Sequence, residues 1–397
     1  MATTIETTPA PAPATLRPTK PDPSGPEVPK TMKAVQLHEY GGPEVLRVET
    51  LPIPTPSTGE VLMRVRATSV TWWDLAFRRG YLQKITVPGR RGWTLPFQPG
   101  REAAGDIAAV GPGLNTNTTG PQLQVGDKVV IMTCPACGHC PFCTQGYDNL
   151  CIKADLPGHT APGGYAEYLL VRAENVLKVP EPSISTPQKT GASWEKLACC
   201  LWSYGTVLHM VDQRARIRPG DCVLITGASS GMGTAGIQLA KLAGANPIIG
   251  LTGSPGKKQS LLDAGADVVL NYKDEDVQVQ IRKATPGGFG PDVVLDMVGG
   301  HMATLAIQVA KLGARIVMAA VMGGRSIELD IVTVFAKHLD LLGSRASTRE
   351  EQARCLKLLV DGKIDPLISD VLPLEDVVKA HELLEQGTHV GKVVLKP

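Results

Sequence analysis

The sequence has no excess of charge of either sign: 40 Lys and Arg face 38 Asp and Glu, for a net charge of +2. That removes the electrostatic ground for expecting nucleic acid or an anionic membrane as a partner. It also has no uninterrupted apolar run long enough to span a bilayer, so a soluble chain is expected. Large apolar residues are almost missing from residues 1–30, which hold eight prolines. Such a segment cannot bury enough surface to offset its ordering entropy and reads as a disordered tail. It contains no apolar stretch of the secretory kind, and its acidic residues argue against an organellar transit peptide.

What is present is length and cysteine. The 397 residues suffice for two domains, each with its own core. Five of the nine cysteines fall between Cys134 and Cys151. That clustering points to a metal site rather than scattered disulfides, and so to a reducing compartment, the cytoplasm.

Residues 31–185 alternate short apolar runs (32–37, 45–48, 61–70, 128–130, 164–171) with Gly and Pro turns, the pattern of a strand-rich, barrel-like domain. From 186 to 345 the pattern changes to strands of three to six apolar residues at 223–226, 248–251, 268–270, 293–296 and 316–320, separated by amphipathic segments such as 257–264 and 301–311. Repeated βα units predict a doubly wound parallel sheet, so the fold class is α/β with a second, strand-rich domain. The segment 346–397 carries helices near 349–361 and 374–385 and a strand at 392–396, and is expected to fold back onto the first domain.

The string Thr226-Gly227-Ala228-Ser229-Ser230-Gly231-Met232-Gly233, between an apolar strand and a helical pattern, has the form of a dinucleotide-binding turn. Small residues let backbone N–H groups approach a pyrophosphate, and the helix N-terminus faces its charge. About twenty residues beyond the turn, an NAD-binding domain carries a carboxylate for the ribose hydroxyls. Here Thr252 and Gly253 occupy that position, followed by Ser254, Lys257 and Lys258. Hydroxyl and ammonium groups suit a 2′-phosphate, which favours NADPH.

Cys137-x2-Cys140-x2-Cys143-x7-Cys151 supplies four thiolates within fifteen residues. This is the donor set of a closed tetrahedral zinc site that holds a fold and leaves no position open to substrate. Cys134 is the competing ligand.

Together these features resemble the medium-chain dehydrogenase/reductase superfamily over essentially 32–397. The carriers are Pro99-Gly100-Arg101-Glu102-Ala103-Ala104-Gly105, the cysteine lobe, Gly164-Tyr165-Ala166-Glu167-Tyr168, the 227–233 turn and the ending Gly391-Lys392-Val393-Val394-Leu395. The resemblance implies a GroES-like catalytic domain, a Rossmann domain and an active site in the cleft between them. It also implies cofactor contacts from Thr206, Tyr272, Val298, Gly299, Ser344, Arg345 and Lys392. Zinc alcohol dehydrogenases of the superfamily place Cys and His ligands where this chain has Thr71 and Arg101. Two ligands are therefore gone, and Trp73 replaces the hydroxyl that starts their proton relay.

The active-site string instead looks like the metal-free quinone-oxidoreductase and enoyl-reductase branches. The expectation is an NADPH-dependent reductase of a conjugated C=C bond or activated carbonyl, with one structural zinc, no catalytic zinc and a small-molecule substrate. A homodimer is left open. Thr71, Arg101, Tyr81 and Tyr204 are the candidate donors, with Glu102 as the alternative ion-pair partner of Arg101. Trp72, Trp73 and Trp202 are the candidate pocket walls, Asp74 a structural hydrogen-bond partner, and His159 a loop residue. Two other readings stand: a zinc alcohol dehydrogenase using Glu102 with Cys199 or Cys200, and a non-redox isomerase, cyclase or binding protein. Residues around 90–93 and 115–122 read as insertions.

Overall fold

The computed structural model describes residues 28–81, 94–114, 122–183 and 192–397. The expected tail and both expected insertions lie almost entirely outside these residues. Two sheets organise the molecule, joined by a long irregular helix.

The first sheet is built on β3 (Glu60–Val70), which follows the two-stranded ribbon of β1 (Thr31–Leu37) and β2 (Leu46–Pro52). β4 (Glu102–Val110), β5 (Lys128–Ile131), β6 (Tyr168–Arg172) and β7 (Val176–Lys178) complete its N-terminal part. β3 pairs antiparallel with β4 and β6, and the chain continues β4–β5–β7. β3 and β4 approach so closely that a Cβ on Gly105 would lie 2.0 Å from the Arg64 carbonyl oxygen.

The second sheet is the predicted parallel one. Its strands are β8 (Val223–Ile225), β9 (Ile248–Thr252), β10 (Val268–Asn271), β11 (Val293–Asp296), β12 (Arg315–Met318) and β13 (Asp340–Gly343). Their spatial order is β10-β9-β8-β11-β12-β13, all parallel. Successive residues serve opposite faces: Val223 and Ile225 join one apolar layer, while Cys222 and Leu224 join the other. The order reverses between β8 and β11, and the crevice beyond their carboxyl ends is where open α/β sheets take ligands.

The chain then returns. β14 (Ile368–Pro373) and β15 (Lys392–Lys396) pair in parallel, and β15 joins β3 in the first sheet. Gly391, just before β15, donates its N–H to the Ser229 carbonyl at 2.9 Å, so the last strand touches the dinucleotide turn as it passes. Between the sheets, Cys200–Tyr204 and Met210–Ala215 are π-helical around the α-helical Gly205–His209. π turns inside helices widen the backbone and are frequent at functional sites.

Gly105→Ala is expected to lower unfolding stability by about 2–3 kcal/mol, because the added methyl meets backbone rather than a yielding side chain. A denaturant midpoint unchanged from the wild type would refute this packing.

Candidate functional site

The dinucleotide turn forms as its residue types require. Gly227 sits at φ +58°, and a Cβ on Gly233 would lie 2.2 Å from the Gly227 carbonyl. Ser230 caps the helix Gly231–Leu242, its Oγ accepting from the Gly233 N–H at 3.0 Å, and Ala228 donates its N–H to Leu251. In front of this turn lies a cavity of about 780 Å³. Ser230, Gly231 and Met232 line it, as do Thr206, Ser344, Arg345 and Lys392. The buried hydroxyls of Thr206 and Ser344 have no hydrogen-bond partner among the described residues. Orphaned hydroxyls facing a helix N-terminus fit the polar groups of a dinucleotide.

The remaining cofactor candidates stand back from the cavity lining. Val298 fills the space above Gly227, and Gly299 donates its N–H to Asp296. Tyr272 packs its ring over Gly253, beside Thr252 at the end of β9 and next to Ser254. Lys257 differs from expectation. Its ammonium is held by the carbonyls of Gly387 (2.5 Å) and His389 (2.7 Å), and burial lowers its pKa, so it fastens the sheet to the C-terminal segment.

The opposite wall comes from the first sheet and the helix Trp72–Arg78. Thr71 caps that helix in a reciprocal capping box with Asp74. The Thr71 hydroxyl, which lines the cavity, donates to Asp74 Oδ2 at 2.6 Å. Asp74 also accepts from the Gly100 N–H, as a structural partner does, and burial raises its pKa. Trp73 and Trp202 meet edge to face at 6.1 Å, and Trp72 lies beside Trp73. All three line the cavity. Tyr81 stands outside the lining, against Trp72 and near the Arg325 guanidinium. Tyr204 is also outside it: the buried hydroxyl donates to the Asp365 carbonyl at 3.2 Å, and burial pushes its pKa well up. Arg101 does face the cavity, its guanidinium 4.4 Å from the Trp202 ring centre and donating to the carbonyls of Thr133 (3.1 Å) and Pro157 (3.3 Å).

Glu102 is not the partner of Arg101. Its carboxylate accepts from Lys392 Nζ at 2.7 Å, from the Ser69 hydroxyl at 2.5 Å and from the Trp202 N–H at 2.8 Å. Both charges are buried, with 6% of the Lys392 side chain and 1% of the Glu102 side chain exposed. Burial opposes the Lys392 charge, yet the Glu102 carboxylate keeps its pKa above the ordinary value. Cys199 and Cys200 lie below, fully buried. Burial raises the Cys199 thiol, and a hydrogen bond with Cys355 together with burial raises that of Cys200.

The cysteine lobe assembles from local turns. The Sγ atoms of Cys137, Cys140, Cys143 and Cys151 all lie within 4.8 Å of one another, with Cys140–Cys143 at 3.4 Å and Cys140–Cys151 and Cys137–Cys143 at 4.0 Å. A tetrahedral Zn–S bond of about 2.3 Å places sulfurs roughly 3.8 Å apart, so the set fits that ion. The backbone N–H groups of Cys137 and Lys153 point at the Cys151 sulfur, as they would at a thiolate. Cys134 stands apart, its thiol directed to the Asn149 carbonyl, and lines the cavity instead.

Two family models match the chain: the alcohol dehydrogenase GroES-like domain over residues 57–181 and the zinc-binding dehydrogenase over 231–361. An NAD-dependent alcohol dehydrogenase of Sulfolobus acidocaldarius is 31% identical over 92% of this chain and 99% of its own. The chain belongs to the medium-chain dehydrogenase/reductase superfamily. An acryloyl-coenzyme A reductase of Metallosphaera sedula is 29% identical over 92% of this chain and 99% of its own. A crystal structure of an NAD-dependent alcohol dehydrogenase superposes with a TM-score of 0.81 at 34% identity, covering 92% of this chain and all of that one. The chain's oxidoreductase relatives thus include an acryloyl-coenzyme A reductase and alcohol dehydrogenases alike. No helix among the described residues is long and apolar enough to cross a membrane.

Several lining residues carried no signal in the sequence. Met297 follows β11, Ala319 to Met322 follow β12, and His389 precedes Gly391. Each reaches the cavity only because the sheet brings its strand ends together. His159 had a signal, its isolation between Gly158 and Thr160, but no local pattern said which way it faced.

Removing one member of the buried pair leaves the other charge uncompensated. Lys392→Met in the cofactor-free protein is expected to cost about 3–5 kcal/mol of stability, with the double variant E102Q/K392M recovering much of it. Denaturant unfolding of the three proteins checks this, and a Lys392→Met variant as stable as the wild type would refute it.

Proposed function

We propose that the chain is a cytoplasmic NADPH-dependent reductase that delivers hydride to a conjugated C=C bond of a small-molecule substrate, with one structural zinc and no catalytic metal. The observation that carries this reading is the state of Glu102. Its oxygens are taken up by an ammonium, a hydroxyl and a backbone N–H. The nearby Cys199 and Cys200 are fully buried and stand outside the cavity lining. With Thr71 and Arg101 at the cavity wall, the donor set that would polarise a substrate oxygen through a metal is replaced by cations and hydroxyls. A reductase of a conjugated bond needs only hydride, a field that favours a developing enolate, and a proton. The apolar wall of Trp72, Trp73 and Trp202 suits a flat conjugated substrate.

NADPH, when bound, supplies the hydride. The turn from Gly227 to Gly233 would hold its pyrophosphate, and the Thr206 and Ser344 hydroxyls would take its polar groups. The absence of a carboxylate directly after β9, with Ser254 half-buried and Lys258 exposed there, supports a 2′-phosphate. The four thiolates of the cysteine lobe would hold zinc.

Three measurements test the reading. Metal analysis is expected to return about one zinc per chain. Enones or enoyl thioesters are expected to drive loss of NADPH absorbance, and mild chelation is not expected to abolish it. Two metals per chain, or alcohol-dependent NADP reduction that a mild chelator abolishes, overturns the proposal in favour of an alcohol dehydrogenase. Separately, the double variant S254A/K258A is expected to raise the KM for NADPH about tenfold while leaving that for NADH unchanged; equal effects on both would remove the 2′-phosphate assignment.

A further inference from the structure

We propose that His159 is the proton donor of this reaction, a role that rests on the reductase reading above. Among the described residues, five strongly basic or imidazole side chains line the cavity: Arg101, His159, Arg345, His389 and Lys392. Arginine does not release its proton in proteins. Lys392 is held in its charged form by Glu102. His389 belongs to the nucleotide side. Its carbonyl takes the Lys257 ammonium, its Nδ1 faces the Leu383 carbonyl, and it lies two residues before the Gly391 that bonds the dinucleotide turn. That leaves His159, on the wall of Trp73, as the cavity group whose side-chain type exchanges a proton near neutrality. Thr71, the hydroxyl nearest in kind, already donates to Asp74.

The imidazole is held in place from three directions. Its ring lies against Trp73, centroids 6.4 Å apart and inclined by 31°, and meets Phe77 edge to face at 5.7 Å. Its loop closes on itself, with His159 N–H to the Leu156 carbonyl at 3.0 Å and Leu156 N–H to the Thr160 hydroxyl at 2.7 Å. The loop is seated on the first sheet at Gly158, which has φ +64° and lies so near Gly100 that a Cβ would meet its backbone at 2.7 Å. Arg101 reaches across to the Pro157 carbonyl, two residues before the ring. Arg101 is therefore a positioning residue for the loop as well as a cation beside the cavity.

In the step proposed, hydride forms the new C–H bond at the β-carbon, and the π electrons move to the α-carbon and its carbonyl oxygen. The imidazolium N–H bond breaks as the α C–H bond forms. This yields saturated product and NADP⁺, and the neutral imidazole recovers its proton from water.

The test compares wild type, H159Q and H159A with NADPH and a conjugated enone in D₂O. H159Q is expected to bind NADPH as the wild type does, by fluorescence, and to turn over about 100-fold more slowly. Wild type is expected to place deuterium on one face of the α-carbon and H159Q on both, because bulk water then protonates the enolate; added imidazole is expected to restore part of the H159A rate. Retained facial selectivity in H159Q overturns the assignment, whatever its rate. Should H159Q fail to bind NADPH, the facial outcome in H159A decides in the same way. A wild type that consumes no NADPH with any conjugated substrate overturns the reductase reading itself, and the role of His159 with it.

Discussion

The buried ion pair between Glu102 and Lys392 is the constraint on which the cleft depends. It joins the first residue of β4 to the first residue of β15, positions 290 apart in sequence. Withdrawing two charges from water costs several kcal/mol each, and the cost is offset only where every remaining lone pair is satisfied. Here the carboxylate has Ser69 and the Trp202 N–H besides the ammonium. The pair also dictates its surroundings. A Cβ on Gly231 would lie 2.5 Å from the Lys392 side chain, so the first residue of the dinucleotide helix must be small for the lysine to pass. The barrel-side sheet, the returning C-terminal strand and the nucleotide turn therefore meet at one point, and none can shift without exposing or stranding a charge.

The cysteine lobe is coupled to the same cleft at some distance from the chemistry. Asn149, between the third and fourth cysteines, donates to the Arg345 carbonyl at 2.9 Å, and Asp148 accepts from the Arg349 N–H at the start of the helix Arg349–Val360. Arg345 and Ser344 line the cavity. The lobe thus braces the segment that presents them, so a metal held by the four cysteines would act on the cleft through structure alone.

What was legible in the sequence was local. The Gly227–Gly233 turn and the four-cysteine set fold within fifteen residues, so spacing alone carried them, and the uniformly apolar strands β8, β9 and β11 could be read from composition. β13 and β14 could not: Asp340–Gly343 and Ile368–Pro373 are edge strands with exposed positions and no continuous apolar run. The π-helical stretch Cys200–Tyr204 has no sequence signature distinct from an α-helix. Site residues failed for a related reason. Sequence adjacency paired Arg101 with Glu102, whereas Arg101 turns to the carbonyls of Thr133 and Pro157 and Glu102 to Lys392. Lys257 was read from its neighbours in the chain, and its real partners lie 130 and 132 positions away.

The distribution of charge in the cleft bears on how the chemistry is divided. Among the described residues, the cavity lining contains no carboxylate, and Glu102 beneath it is neutralised by a lysine that belongs to the chain. A metal ion bound by such a carboxylate would enter and leave with pH and supply, whereas an ammonium is present whenever the protein is folded. With Arg101 and Arg345 at its wall, positive charge facing the cavity is a property of the chain itself. On the reading proposed above, an enolate developing there would be stabilised by charges already in place, with no reorganisation at the moment of reaction. That leaves the timing of the proton as the part of the chemistry still to be supplied, by a group that can lose one and regain it. Of the cavity's side chains, the imidazole against Trp73 meets that requirement by type and by position.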